Sequence, residues 1–97
     1  MGQIKWSEKA VIDLEAIFNY ISTNSPIYAS RFINSIIKST DILKSQPFLG
    51  RIVPEFDNNT IRELIYRDYR IVYRIVIDDN VEILIVFHGK RELSNIE

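Results

Sequence analysis

The side chains able to do chemistry lie mostly in the second half of this 97-residue chain. Arg51, Arg62, Arg67, Arg70, Arg74, Lys90 and Arg91 supply cations there, and His88 is the only imidazole. Histidine has the one side chain whose unperturbed pKa lies near neutrality, which suits His88 to general acid or base work with Glu55 as partner. The plainer reading is a strand-end histidine hydrogen-bonded to the tail. Arg70 offers a planar fork that can grip a phosphate or a carboxylate through parallel hydrogen bonds. It equally suits a salt bridge to Glu63 or Glu82 on adjacent strands. Arg51, Lys90 and Arg91 read either as a contact surface or as solvated loop charge worth little energetically. Tyr66, Tyr69 and Tyr73 are rings on which bases can stack.

These residues need strands to hold them. Ile71, Tyr73, Ile75 and Ile77 alternate with Arg70, Val72, Arg74 and Val76, which predicts a strand with one apolar face and one face carrying two arginines. Tyr73 falls on the core side, where packing is its simpler role. Arg70 and Arg74 are expected to stand free for a ligand or partner. Ile61–Tyr66 reads as a preceding strand, with a tight reversal at Tyr66-Arg67-Asp68. Val81–His88 reads as a following one, and its nearly continuous apolar run predicts burial on both faces. Asp78-Asp79-Asn80 between them tolerates positive φ, as hairpin turns require. Three strands in series with short links should form an antiparallel meander.

The first half must cover that sheet. Gln3–Trp6 reads as a short extended segment with Ile4 and Trp6 on one face. Ser7 is a good N-cap for a helix whose Ala10, Leu14, Ile17, Phe18 and Ile21 form one stripe. Glu8, Asp13 and Glu15 make its wet face. Ser25 caps a second helix with Pro26 in the first turn and a stripe of Ala29, Phe32, Ile33, Ile36, Ile37, Thr40 and Leu43. The pair should pack as an antiparallel hairpin. Val11, Ile12 and Ile37 lie off the stripes, leaving apolar surface for an amphipathic partner helix or for a wider core contact. An open sheet edge would equally suit an added strand. Pro47 and Gly50 punctuate the hairpin's end, Val53-Pro54-Glu55-Phe56 reads as an extended linker, and Asp57-Asn58-Asn59 as a polar loop. The expected architecture is α+β, β-α-α-β-β-β. A helical hairpin packs on one face of a mainly antiparallel four-stranded sheet, in one domain spanning residues 1–97. The tail from Lys90 to Glu97 is polar.

Composition narrows the classes. Hydrophobic residues make up 46% and charged residues 26% of the chain, which is globular usage. There is no cysteine, which excludes disulfides and thiol chemistry, and one histidine cannot make a histidine-rich metal site. No metal and no cofactor are expected. No run approaches the roughly 18 apolar residues of a membrane span, and no signal pattern opens the chain, so a cytoplasmic protein without membrane contact is expected. The formal net charge of −1 and a sequence pI of about 5.8 do not suggest a protein that neutralises many phosphates.

An ordered set of features resembles the RelE/ParE superfamily, the toxin half of type II toxin–antitoxin modules. They are Ile4-Lys5-Trp6-Ser7 with Ala10, Asp13 and Leu14, Tyr20-Ile21, Ser25-Pro26 with Ala29 and Phe32, and Pro47-x-x-Gly50-Arg51. Ile61-Arg62-Glu63-Leu64, Tyr69-Arg70-Ile71-Val72-Tyr73 and His88-x-x-Arg91 complete it. The resemblance implies the same fold and a cognate antitoxin that wraps and neutralises the toxin, giving a hetero-oligomer. The strings look closer to the ParE-like branch, which poisons DNA gyrase and is not a nuclease. That implies a plasmid-stabilising module whose toxin arrests growth. The alternative is the RelE-like branch, which cuts messenger RNA in the ribosome and places an arginine at the position of Arg70 against the substrate. Only then would Arg62, Arg70 and His88 be catalytic, in a metal-independent endoribonuclease. The acidic pI and the lack of a tyrosine after His88 count against cutting. Arg51, Arg74, Lys90 and Arg91 are the candidate contacts to target or antitoxin. A non-toxic member that keeps only antitoxin binding is the third reading.

Overall fold

Two serines set where the helices begin. Ser7 accepts the Ala10 N–H at 3.0 Å ahead of α1 (Glu8–Ser22), and Ser25 accepts the Tyr28 N–H at 3.1 Å ahead of α2 (Pro26–Ser39). Each cap satisfies an amide that the first helical turn leaves without a partner. The computed structural model describes residues 2–90. In it α1 buries Ala10, Leu14 and Ile17, and α2 buries Ala29, Phe32 and Ile36, the spacing that one face demands. The second stripe outruns its helix. α2 stops at Ser39, and Leu43 is buried from a single 3-10 turn, Asp41–Lys44.

The helices cover a five-stranded sheet of order β1-β5-β4-β3-β2. Its strands are β1 (Ile4–Trp6), β2 (Arg51–Ile52), β3 (Ile61–Tyr66), β4 (Tyr69–Ile75) and β5 (Val81–His88). β1 runs parallel to β5, and every other pairing is antiparallel. Four strands were expected. The fifth is β2, too short to show a period of two, which forms by pairing Arg51 with Glu63 and Ile52 with Arg62. β3 and β4 are joined by Arg67-Asp68 alone, with Arg67 at φ 53°, and Asp78 and Asp79 take φ 61° and 58° before β5. Aspartates are at home in left-handed backbone. Arginine is not, and the conformation costs roughly 1 kcal/mol or more.

The sheet has two cores. On the helix side lie Ile71, Tyr73, Ile75, Val81, Ile83 and Val86, with Ile4 and Trp6 packed against them. A register break opposite Val72 and Tyr73 switches the parity of β5 after Ile83, so that Val86 faces the helices while Ile85 and Phe87 face away. The far face, on which Arg70 and Arg74 are expected to stand free, is covered. Val53 is fully buried there with Val72, Ile85 and Phe87, and Phe56, Ile61 and Leu84 pack around them. The segment that reads as a linker is therefore a lid on the sheet.

Tyr73 ties the connection after the helices to the sheet. Its buried hydroxyl donates to the Pro47 carbonyl at 2.7 Å and accepts the Gly50 N–H at 2.9 Å. A Cβ at Gly50 would lie 2.5 Å from that hydroxyl and 2.6 Å from the Glu63 carbonyl, so the backbone can approach only as glycine. Tyr73→Phe leaves a buried donor and acceptor unmatched and should cost about 1–3 kcal/mol. Gly50→Ala overpacks the same spot and should cost a similar amount, about 1–3 kcal/mol. Both should lower the urea midpoint with little change in slope, and unchanged midpoints would show that the turn is not held here.

Candidate functional site

The far-face lid brings four charged side chains together. Glu63 lies on β3 opposite Val72, and its side chain is 0% exposed. An unpaired carboxylate in that position would cost several kcal/mol. Two arginines compensate it. Arg70 donates from Nε to Glu63 Oε1 at 2.6 Å, and Arg51, the β2 partner of Glu63, donates to Oε2. The two remaining nitrogens of Arg70 donate to the two oxygens of Glu55 at 3.0 Å each, a bidentate fork. Its guanidinium also sits 5.1 Å from the centroid of the Phe87 ring. Hydrogen bonding from Arg70 holds the Glu55 carboxyl below its ordinary range, and the bond to Glu55 in turn raises the Arg70 pKa.

Arg70 is consequently not the free strand arginine that alternation predicts. It is almost fully buried, and all three of its guanidinium nitrogens face carboxylates. Arg74 keeps a half-exposed side chain 3.6 Å from Glu82. Arg62 pairs with Tyr73 and so projects to the helix side. There it donates to the carbonyls of Asn59 at 2.9 Å and of Phe48 and Gly50 at 3.1 Å, stacked over the Phe48 ring. His88 pairs with Tyr69, edge-on to its ring at 5.6 Å, and accepts the Lys90 N–H on Nδ1 at 3.3 Å. Arg91 lies outside the described residues.

Arg62, Arg70 and His88 therefore do not converge. Arg62 and His88 lie on the helix side of the sheet and Arg70 on the other. Arg70 and His88 meet only around a shallow depression of about 280 Å³, bordered also by Arg51, Arg67, Asp68 and Lys90. Glu55 points at Arg70, not at His88. Among the described residues no group of three or more His, Asp or Glu side chains comes together as a metal ion requires.

Asp13 is a further correction. It reads as part of a wet helix face, yet it turns inward, pairs with Lys9 and accepts the Val86 N–H at 3.0 Å. β1 pairs only with Val81, Glu82 and Ile83, so this amide lies beyond the strand and the carboxylate serves in its place. Helical periodicity holds no sign of that. The aromatic series Tyr28, Phe32, Tyr66 and Tyr69, with neighbouring centroids 5.7–6.1 Å apart, was also not assembled from sequence, because its members come from α2 and from the β3–β4 hairpin.

Comparison with known proteins gives the class. Residues 4–93 match the family described as "ParE toxin of type II toxin-antitoxin system, parDE". The chain belongs to this family, within the RelE/ParE superfamily, and is a toxin of the type II toxin–antitoxin kind. It is 32% identical over 91 residues to Toxin RelE2 of Caulobacter vibrioides, covering 94% of this chain and 99% of that one. Its fold is similar to that in the chromosomal ParDE system of P. aeruginosa, with a TM-score of 0.74, 24% identity and coverage of 93% and 98% of the two chains. It is similar also to that in the RelBE2 toxin–antitoxin complex of Mycobacterium tuberculosis, with a TM-score of 0.63, 20% identity and coverage of 90% and 96%. No helix among the described residues is long and apolar enough to cross a membrane.

The charge network makes two predictions. Arg70→Ala leaves Glu63 buried with only the exposed Arg51 as counter-charge and should cost about 3–5 kcal/mol in chemical denaturation. A loss below about 1 kcal/mol would mean that other groups compensate the carboxylate. Glu55 has a lowered pKa when folded, so its contribution is present above the ordinary carboxylate range and is lost as pH falls through the folded value. The Tm advantage of the native chain over Glu55→Gln should be largest near neutrality and shrink on acidification. An advantage that stays constant down to about pH 3 would contradict the pairing.

Proposed function

We propose that this toxin works by binding a protein target, DNA gyrase, without cutting RNA, and that a cognate antitoxin neutralises it in a hetero-oligomeric complex. The commitment of Arg70 carries the reading. An arginine that must clamp a scissile phosphate presents an open fork, whereas here the Nη1/Nη2 fork already grips Glu55, Nε serves Glu63 and the side chain is buried. The placement of Arg62 away from the depression that Arg70 and His88 share supports it further, as does a net charge of −1. On this reading the toxin acts in the cytoplasm, arrests growth, and favours retention of a plasmid that carries its module.

The antitoxin has a natural place on the helices. Val11 and Ile12 are exposed on α1, and a groove of about 550 Å³ runs between Leu14, Phe18 and Ile33. Such a surface fits the apolar face of an amphipathic helix. Arg51 and Arg74 keep exposed guanidinium surface, and Lys90 is exposed, so each remains a candidate contact to target or antitoxin.

Induction of the isolated gene in a bacterial host tests the reading, with messenger RNA integrity and the DNA damage response followed together. Growth arrest with intact messenger RNA and an induced damage response is expected, along with inhibition of gyrase supercoiling by the purified chain. Codon-positioned RNA cuts would overturn the proposal in favour of a ribosome-dependent nuclease. Growth without arrest would overturn toxicity itself.

A further inference from the structure

Arg67 holds a backbone conformation for which it is a poor choice. At φ 53° in a two-residue turn, glycine or asparagine would sit with less strain. Strain of this kind gathers at functional sites and ligand clamps. The Arg67 side chain is exposed at the very tip of the β3–β4 hairpin, its guanidinium 5.7 Å from the Tyr66 ring. Among the described residues it has no carboxylate within ion-pairing distance. Its partner inside the fold is the neighbouring Tyr66 side chain, an exposed contact that leaves the positive charge without a carboxylate.

The surface around the tip differs from the rest of the molecule. The depression of about 280 Å³ carries Arg51, Arg67, Arg70 and Lys90 against Asp68 alone, although the whole chain is net negative. Arg51 and Arg70 are engaged with Glu63 and Glu55, which leaves Arg67 and Lys90 to meet an outside anion, and of the two Arg67 stands at the hairpin tip beside the Tyr66 ring. Exposed Ile65 adds apolar surface beside it, and half-buried Tyr66 and Tyr69, backed by buried Phe32, add rigid aromatic area. Aromatic rings flanking an arginine are the composition of binding hot spots.

We propose that the β3–β4 hairpin tip, anchored by Arg67, is the surface with which this toxin grips its target, and that it takes a short acidic protein segment with an adjoining apolar side chain. This rests on the protein-target reading above. A nucleic acid is the poorer fit, because its binding draws on many phosphate contacts and few cations here are uncommitted. The depression has room for side chains, not for a run of stacked bases.

Substitution at the tip separates binding from folding, because Arg67→Gly removes the anchor while relieving the backbone. The full-length native chain would be compared with Arg67→Gly, Arg67→Glu, Arg67→Lys and, as a remote charge control, Lys38→Gln. Readouts are thermal midpoint, growth arrest on induction at matched protein levels, and binding of a labelled single-stranded RNA. Arg67→Gly should keep its midpoint or raise it by a few degrees, yet require about ten-fold more protein for arrest or more. Arg67→Glu should abolish arrest, Arg67→Lys should retain part of it, and Lys38→Gln should match the native chain. Undiminished arrest in stably folded Arg67→Gly or Arg67→Glu overturns the assignment. Tight RNA binding that vanishes in Arg67→Gly overturns it in favour of a nucleic-acid surface. Loss of arrest in Arg67→Gly, with gyrase untouched by the native chain, would remove gyrase as the target and leave the hairpin tip standing.

Discussion

A carboxylate with no exposed surface is the constraint on which the far side of this sheet depends. Glu63 lies opposite Val72, on the face that Val53 and Phe87 also fill, and a carboxylate without exposed surface there needs compensation. Its neighbours meet that need from two directions. Arg51 reaches it from β2, which gives the two-residue edge strand a purpose beyond its short pairing with β3. Arg70 reaches it from β4, and its remaining donors then hold Glu55 on the segment between β2 and β3. Fixing Glu55 helps keep Val53 and Phe56 over the sheet, so the ion network and the second core stabilise one another.

That arrangement divides the molecule by function. The far face near Arg70 is a closed electrostatic unit, and its charges are directed at each other. The helix side offers apolar residues and a groove, and the hairpin end offers cations and rings. A toxin that binds both an antitoxin and, as proposed, a protein target has use for two separate surfaces. The apolar one suits a neutralising helix and the charged one suits a target.

Much of this was legible in the residues. Ser7 and Ser25 announced the helix starts because a cap is a local interaction between neighbours in sequence. Asp78 and Asp79 announced their turn for the same reason. The apolar run of β5 correctly implied burial on both faces, and the antiparallel series β3-β4-β5 followed from its short links. What sequence missed depends on contacts distant along the chain. Alternation in β4 told which residues share a face, but not that Val53 and Phe56 would fold back to cover the arginine side. Cross-strand pairing of Arg70 with Glu63 was open from the pattern, whereas the second carboxylate, Glu55, came from a stretch that reads as a linker. Asp13 satisfies an amide more than seventy residues away, which no helical wheel can show.

The most direct measurement replaces the buried pair as a unit. A double variant, Arg70→Met with Glu63→Leu, removes the two charges together, and such exchanges are often neutral to stability or better. If Arg70 serves the fold and the chain is toxic as proposed, the double variant should remain folded and should arrest growth on induction to the native extent. A folded double variant that no longer arrests growth would show that Arg70 meets the target itself, and would contradict the account.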